Sequence, residues 1–314
     1  MDFVTLGRTG LRASVLGLGG GGHSRLGQQT GSTFGQSIAL VQHALALGIT
    51  FIDTAESYGT ENIIGQALRG GRRDAVILST KKSMDGQNGL ITPQELRQGL
   101  EASLQRLETD RVDIYHLHGV LQEQYGYARE HLVPELLKLQ EQGKIGFLGL
   151  TERFAVDTGH QMLSQAVRDE PWDVVMVGFN ILNQSARERV FVQTQERNLG
   201  VLNMFAVRRD LSQPAKLQQT ITALREQGHL SLYAELEDSE PLEFLLHEGG
   251  ALSLPDAAYR FCRAEPGVHV VLSGTGSLRH LEENVTSILR PALPAPDRER
   301  LGHLFSGIDI VSGQ

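Results

Sequence analysis

The sequence predicts a closed (β/α)8 barrel, an α/β fold, with a β-hairpin before it and a long loop insertion after its seventh strand. Three observations carry this. Short, apolar, β-prone runs alternate with amphipathic helical stretches until eight strands are counted. Composition does not break anywhere along the 314 residues, so a single barrel domain spanning 1–314 is expected. Three of the apolar runs end in an ionisable side chain where a strand hands over to a loop, and in a parallel barrel those ends share one face.

Residues 3–6 and 11–14 flank the turn Gly7-Arg-Thr-Gly10 and read as the hairpin. Residues 15–18 form the first barrel strand and run into Gly19-Gly-Gly-Gly22, where missing side chains let a ligand approach the backbone or simply leave a flexible loop. A helix over 38–47 stops at Gly48 and is followed by a strand at 50–53; a helix over 62–68 precedes a strand at 75–78. Thr92-Pro-Gln-Glu95 combines an N-cap, Pro at the first position and a capping-box Glu, which starts a helix running to Leu107 ahead of a strand at 112–117. Helix 131–142 leads to strand 145–150, helix 156–168 to strand 173–177, and helix 186–198 to strand 201–205. Residues 208–253 exceed an ordinary βα loop, and an insertion on that face shapes a pocket. Leu254-Pro-Asp256 opens a helix, residues 268–272 form the eighth strand, and 277–289 the helix after it.

Composition narrows the function classes. Hydrophobic residues at 40% and charged residues at 21% are an ordinary globular balance. A net charge of -8 without a long Lys/Arg run argues against nucleic acid or an anionic membrane as partner and for a small-molecule ligand. Cys262 is the only cysteine, so a disulfide framework or a thiolate zinc cluster within one chain is excluded, and a small buried helical residue is expected there. No basic-then-apolar leader and no run of about 18 apolar residues occurs, which reads as a cytoplasmic protein.

Asp53, Lys81 and His118 end the second, third and fourth strands, and Tyr58 lies in the loop after the second. Convergent strand ends bring all four to one pocket, with Lys82 pointing the other way as a solvated neighbour and Glu56 and Ser57 shaping the loop. Taken singly, Asp53 and Lys81 read equally well as a buried ion pair, and Tyr58 as a packed aromatic. Together, Phe51-Ile-Asp-Thr-Ala-Glu-Ser-Tyr-Gly59 with Glu61-Asn-Ile-Ile-Gly65, Leu117-His118, Gly143-Lys-Ile-Gly-Phe-Leu-Gly149 and Leu281-Glu-Glu-Asn284 resemble the signatures of the aldo-keto reductase family over nearly the whole chain. The resemblance implies a catalytic tetrad of Asp53, Tyr58, Lys81 and His118 and a hydride exchanged between NADP or NAD and a carbonyl or alcohol, such as an aldehyde, ketone or sugar. The chemistry is consistent with it. An acid must protonate the developing alkoxide. A free phenol with a pKa of about 10 needs a nearby ammonium to act in both directions, and a carboxylate keeps that buried ammonium charged. A histidine donates a hydrogen bond to the substrate oxygen and orients it.

The same resemblance implies cofactor contacts, with departures. Thr151-Glu152 stands where the family has Ser-Asn for the nicotinamide carboxamide, Met176 where it has Gln, and Met204, next to Phe205, where it has a stacking aromatic. Gly20 belongs to the first loop. Ser273-Gly274-Thr275-Gly276-Ser277 precedes a helix N-terminus suited to phosphate, Asn284 falls where adenine is contacted, and Arg279 could meet a 2'-phosphate. Trp172, Phe179 and Tyr233 are expected either in a substrate pocket or in the core. Two other classes compete. His116-Leu-His118 puts two imidazoles on one strand face, a spacing able to chelate zinc in a barrel hydrolase. The altered nicotinamide contacts keep open the second class, a non-catalytic dinucleotide-binding or regulatory barrel protein.

Overall fold

The computed structural model describes residues 1–230, 236, 237 and 239–314. Strands β1 (Phe3–Thr5) and β2 (Arg12–Ser14) pair antiparallel as the hairpin. Then β3 (Leu16–Gly19), β4 (Phe51–Asp53), β5 (Ile77–Ser83), β6 (Val112–Val120), β7 (Ile145–Glu152), β8 (Val174–Gly178), β9 (Gly200–Met204) and β10 (Val270–Ser273) form one parallel sheet in chain order that closes on itself. The chain is therefore a (β/α)8 barrel with helices between its strands. Among the described residues no helix is long and apolar enough to cross a membrane.

Period-two alternation divides each strand between two environments. Phe51, Ile77, Ile114, Val174, Leu202 and Val270 fill the lumen, and Leu6 and Ala13 of the hairpin pack beneath them, closing the amino-terminal end. Ile52, Leu78, Tyr115, Leu148, Val175 and Val201 face the helices. Each such side chain removed from water contributes about 1.5–3 kcal/mol, so a one-residue slip in register would forfeit both layers. Only the carboxyl-terminal end of the lumen is open to chemistry.

Several elements differ from expectation for local reasons. The third barrel strand starts at Ile77 because Arg73–Ala75 closes a 3-10 turn, and it runs on to Ser83, so Lys81 sits inside the strand. Expected helix 131–142 starts at Gln122 and passes through a π turn at Ala128–Leu132 before Val133–Glu141. Pro134 has no N–H to give the preceding turn, and the π turn absorbs that loss. Expected helix 156–168 shrinks to Gln161–Ala166. His160 adopts φ 57°, and the Asp157 carboxylate accepts from the N–H groups of Gln161 and Met162, both at 2.9 Å, which ends any helix before that point. The insertion contains Arg209–Ser212, Pro214–Glu226 and a 3-10 turn at Glu243–Leu245, while Tyr233 lies outside the described residues. An unanticipated helix, Ala295–Phe305, carries the chain back so that residues 311–313 are fastened beside the barrel mouth by Asn183, Asn180 and Asp210.

Candidate active site

Parallel register brings the polar strand ends together. Asp53 pairs with Ser79 across β4 and β5, and Lys81 with His116 across β5 and β6. Asp53, Ser79, Lys81, His116 and His118 share the parity of the lumen residues Phe51, Ile77 and Ile114 and stack above them. The fully buried Lys81 donates through Nζ to Asp53 Oδ2 at 2.5 Å and to the Thr54 carbonyl at 2.8 Å, and Ser79 Oγ donates to Asp53 Oδ1 at 2.8 Å. A buried charge pair persists only when its remaining valences are met in this way.

Tyr58 ends the short turn Glu56–Tyr58. That turn is pinned from outside the barrel by Lys82, whose Nζ lies 2.7 Å from Glu56 Oε1, so Lys82 is an anchor and not a freely solvated neighbour. From the other side Gly21 packs on the phenol: a Cβ there would lie 2.5 Å from Tyr58 Cε2. The Tyr58 hydroxyl reaches His118 Nε2 at 3.2 Å with the two rings edge to face, and Lys81 Nζ lies 5.2 Å from the phenol centroid. His118 is aimed by a bulge. The β6–β7 register slips between Leu117 and Val120, Gly119 takes φ 63°, and its N–H donates to Thr151 Oγ1 at 2.7 Å. Thr151 thereby positions the histidine.

Burial dominates the electrostatics. It pushes the Tyr58 phenol above its ordinary value, opposed by the Lys81 ammonium. It also pushes the Asp53 carboxyl up, again opposed by Lys81 and Ser79. His118 is held down to about 3 by burial and then by the Lys81 and Arg153 charges, so it is neutral at any physiological pH. His116, one layer deeper, is lowered well below its ordinary value by burial and by Lys81. Its ring is pressed against Gly149, where a Cβ would fall 2.1 Å from Nδ1. Among the described residues no group of three His, Cys, Asp or Glu side chains is placed to hold a metal ion.

The expected cofactor residues divide. Met176 lies in the lumen layer, with half-buried Met204 packed against that cluster at the mouth. Phe205 follows with φ 67°. Glu152 shares the parity of the helix-facing Leu148 and Leu150 and points out of the lumen; its carboxylate is bound by His160 Nδ1 at 2.9 Å and by the Gly178 N–H at 2.7 Å. The expectation that Glu152 meets a carboxamide is corrected by that orientation. Gly20 is buried under Thr60 and donates its N–H to the Asp53 carbonyl at 2.6 Å, so its neighbour Gly21 is the glycine that touches Tyr58. Ser273 Oγ accepts from Tyr259 and from Asn284 Nδ2, both at 2.9 Å, and so orients Asn284. Gly274 and Thr275 lead to the N-cap Ser277 of helix Leu278–Leu289, on whose first turn Arg279 is exposed, its Nε 3.8 Å from Glu283. Trp172 and Phe179 are fully buried among the helix-facing side chains and belong to the core. Ser79, which bonds Asp53, was not anticipated from the sequence, although period two from Lys81 places it on the same face.

The model of the Aldo/keto reductase family matches residues 16–301. The chain is 24% identical over 292 residues to the uncharacterized oxidoreductase YqkF of Bacillus subtilis (strain 168), with 89% of each chain covered. Its fold is that of the aldo-keto reductase AKR11C1 from Bacillus halodurans in holo form, with a TM-score of 0.72, 23% identity, and 98% of this chain and 97% of that one covered. The thermostable aldo-keto reductase Tm1743, solved with the inhibitor epalrestat, gives a TM-score of 0.70 at 24% identity, covering 96% of this chain and 99% of that one. Because the family match runs from the first barrel strand through the last, the chain belongs to the aldo/keto reductase family, whose members are oxidoreductases that use nicotinamide cofactors.

Proposed function

We propose that this chain is an NAD(P)(H)-dependent oxidoreductase acting on an aldehyde, ketone or sugar-like carbonyl and on the corresponding alcohol, with Tyr58 as acid and base. The observation that carries the proposal is the contact of the Tyr58 hydroxyl with a neutral His118 at 3.2 Å, beside a buried Lys81–Asp53 pair held at 2.5 Å. The bound nicotinamide supplies the hydride in reduction and accepts it in oxidation. In reduction Tyr58 gives its proton to the carbonyl oxygen as the carbon gains the hydride, and in oxidation the phenolate takes that proton back. A phenol raised by burial stays protonated at neutral pH, which suits the reducing direction, and Lys81 stabilises the phenolate left behind. His118, being uncharged, can donate one N–H to the substrate oxygen without competing for the proton.

The residues suit the dinucleotide at its phosphate end. Ser273 to Ser277 precede a capped helix of 12 residues, Asn284 is held with its amide oxygen unspent, and the exposed Arg279 is available to a 2'-phosphate, so NADP and NAD are both accommodated. At the nicotinamide end Met176 and Met204 offer thioether surfaces, and Thr151 Oγ1, although it accepts from Gly119, retains its own proton to donate. This apolar floor favours a second reading, a barrel that binds the dinucleotide without turnover. Oxidation of NADPH and NADH over a panel of aldehydes and ketones separates the two. The parent should turn over, and Tyr58→Phe should lose on the order of 10²- to 10⁴-fold in kcat while still binding dinucleotide. Equal rates for parent and Tyr58→Phe would end the acid/base assignment. Dinucleotide binding with no parental turnover would leave the non-catalytic barrel.

A further inference from the structure

We propose that Glu56 and Lys82 are positioning residues whose ion pair behind the Glu56–Tyr58 turn sets where the phenol stands relative to Lys81; this rests on the acid/base reading of Tyr58. Four consecutive residues of β5 each donate to an acid on the segment that carries Tyr58. Ser79 and Lys81 point into the lumen and hold Asp53 at 2.8 and 2.5 Å. Thr80 and Lys82 point outward with Leu78. Thr80 Oγ1 donates to Glu61 Oε1 at 2.6 Å, and Lys82 Nζ donates to Glu56 Oε1 at 2.7 Å. Glu61 opens the helix Glu61–Ala67 and is held from its other side by Arg106 Nε, also at 2.6 Å. The strand therefore grips residues 53–61 from both faces: at the beginning, at the end and, through Lys82, two residues before the phenol.

Lys81 and Lys82 divide one task. The first faces the phenol, its Nζ 5.2 Å from the ring centroid, and the second ties down the turn on which the phenol is mounted. Because one rigid peptide unit joins the two, a displacement of the Glu56 anchor is a displacement of the phenol against the ammonium beside it. The Lys82–Glu56 bond is unlike a surface ion pair, which holds no fixed geometry. Its side chains are only 17% and 20% exposed, and they pack under Gly99 in the middle of the helix Pro93–Leu107. A Cβ on Gly99 would lie 2.8 Å from Lys82 Cδ, 3.0 Å from its Cε and 3.4 Å from Glu56 Oε2. Glycine weakens a helix interior relative to alanine, and the space it leaves here is taken by this pair. A charge-assisted bond held in that space has a direction that an apolar contact lacks, and direction is what aiming a proton donor requires. Lys82 points away from the lumen, so the bond can be broken while Asp53, Tyr58, Lys81 and His118 all remain.

The test combines steady-state kinetics with fluorine NMR of chain made with fluorotyrosine, in which the resonance of residue 58 is assigned by its loss in Tyr58→Phe. Lys82→Met and Glu56→Gln should each lower kcat about ten- to a hundredfold, with KM and dinucleotide affinity nearly unchanged, and should shift or broaden the residue 58 resonance alone. Gly99→Ala should act in the same direction by pushing on the Lys82 stem. The exchanged pair, Glu56→Lys with Lys82→Glu, should recover part of the rate and of the resonance. Single variants that keep the parent's kcat, or an exchanged pair that recovers nothing, overturn the proposal. Should Lys82→Met unfold the chain, which movement of every tyrosine resonance would reveal, the nearly isosteric Glu56→Gln decides in its place. If the parent turns over no carbonyl, the acid/base reading falls, and the NMR arm still decides the placement: a residue 58 resonance moved in the single variants supports it, and an unmoved one overturns it.

Discussion

Neutral His118 has a consequence that can be measured without any substrate. Its imidazole is held to about 3 in the folded chain, against an ordinary value of 6.5 when unfolded. The unfolded chain therefore binds a proton in the window between those values and the folded chain does not. By linkage the native state loses stability as pH falls through that window, and nothing is lost above it. Each pH unit is worth 1.36 kcal/mol, so lowering the pH from about 7.5 to about 4.5 should cost the parent about 2–3 kcal/mol through this residue alone. His118→Gln removes the titrating group but keeps an acceptor for the Tyr58 hydroxyl, and all other groups cancel in the comparison. Urea unfolding of parent and variant at both pH values gives the difference directly. The variant should gain on the parent by that amount as the solution is acidified. If the two curves shift in parallel, His118 is not held neutral, and its assignment as an uncharged donor to the substrate oxygen fails with it.

Lys81→Met should destabilise the chain by about 3–5 kcal/mol, because it strands the Asp53 carboxylate in the lumen; the double variant with Asp53→Leu should recover most of this in urea unfolding, and additive losses would refute the pairing. Gly21→Ala should lower kcat about ten- to a hundredfold with a small change in Tm, since its methyl group can be admitted only by displacing the phenol. Gly149→Ala should cost about 1–3 kcal/mol in thermal or urea unfolding, because its methyl group would fall 2.1 Å from Nδ1 of the buried His116 ring and force it to shift. An unchanged kcat or an unchanged unfolding midpoint would count against the respective packing.

Whatever followed from strand parity was legible in the sequence. Asp53, Lys81 and His118 could be placed on one face because each continues the period of the apolar residues before it, and Lys82 could be sent outward by the same count. That count was also available for Glu152, which lies two residues beyond Leu150 on the helix-facing side; a positional match to relatives outweighed it, and the buried bond to His160 shows which consideration governs the side chain. Helix ends marked by a cap, such as Thr92 with Glu95, were found, whereas the π turn and the shortened helix at Gln161 depend on Pro134 and Asp157 acting against an otherwise helical pattern.

Contacts between distant segments left no trace in the local pattern, and they decide how the tetrad is aimed. Thr151 holds the bulge that turns His118 toward Tyr58, Gly21 sets how closely the phenol can approach, and Glu56 with Lys82 pins its loop from outside. None of these three devices carries the proton, yet each fixes one coordinate of the 3.2 Å contact. Misplacing any of them by about 1 Å is expected to cost as much rate as weakening the acid itself. On the proposed reading the strand ends and the Glu56–Tyr58 turn carry the reacting groups and the residues packed around them set their geometry, so substitutions that spare Asp53, Tyr58, Lys81 and His118 are expected to impair the site as well.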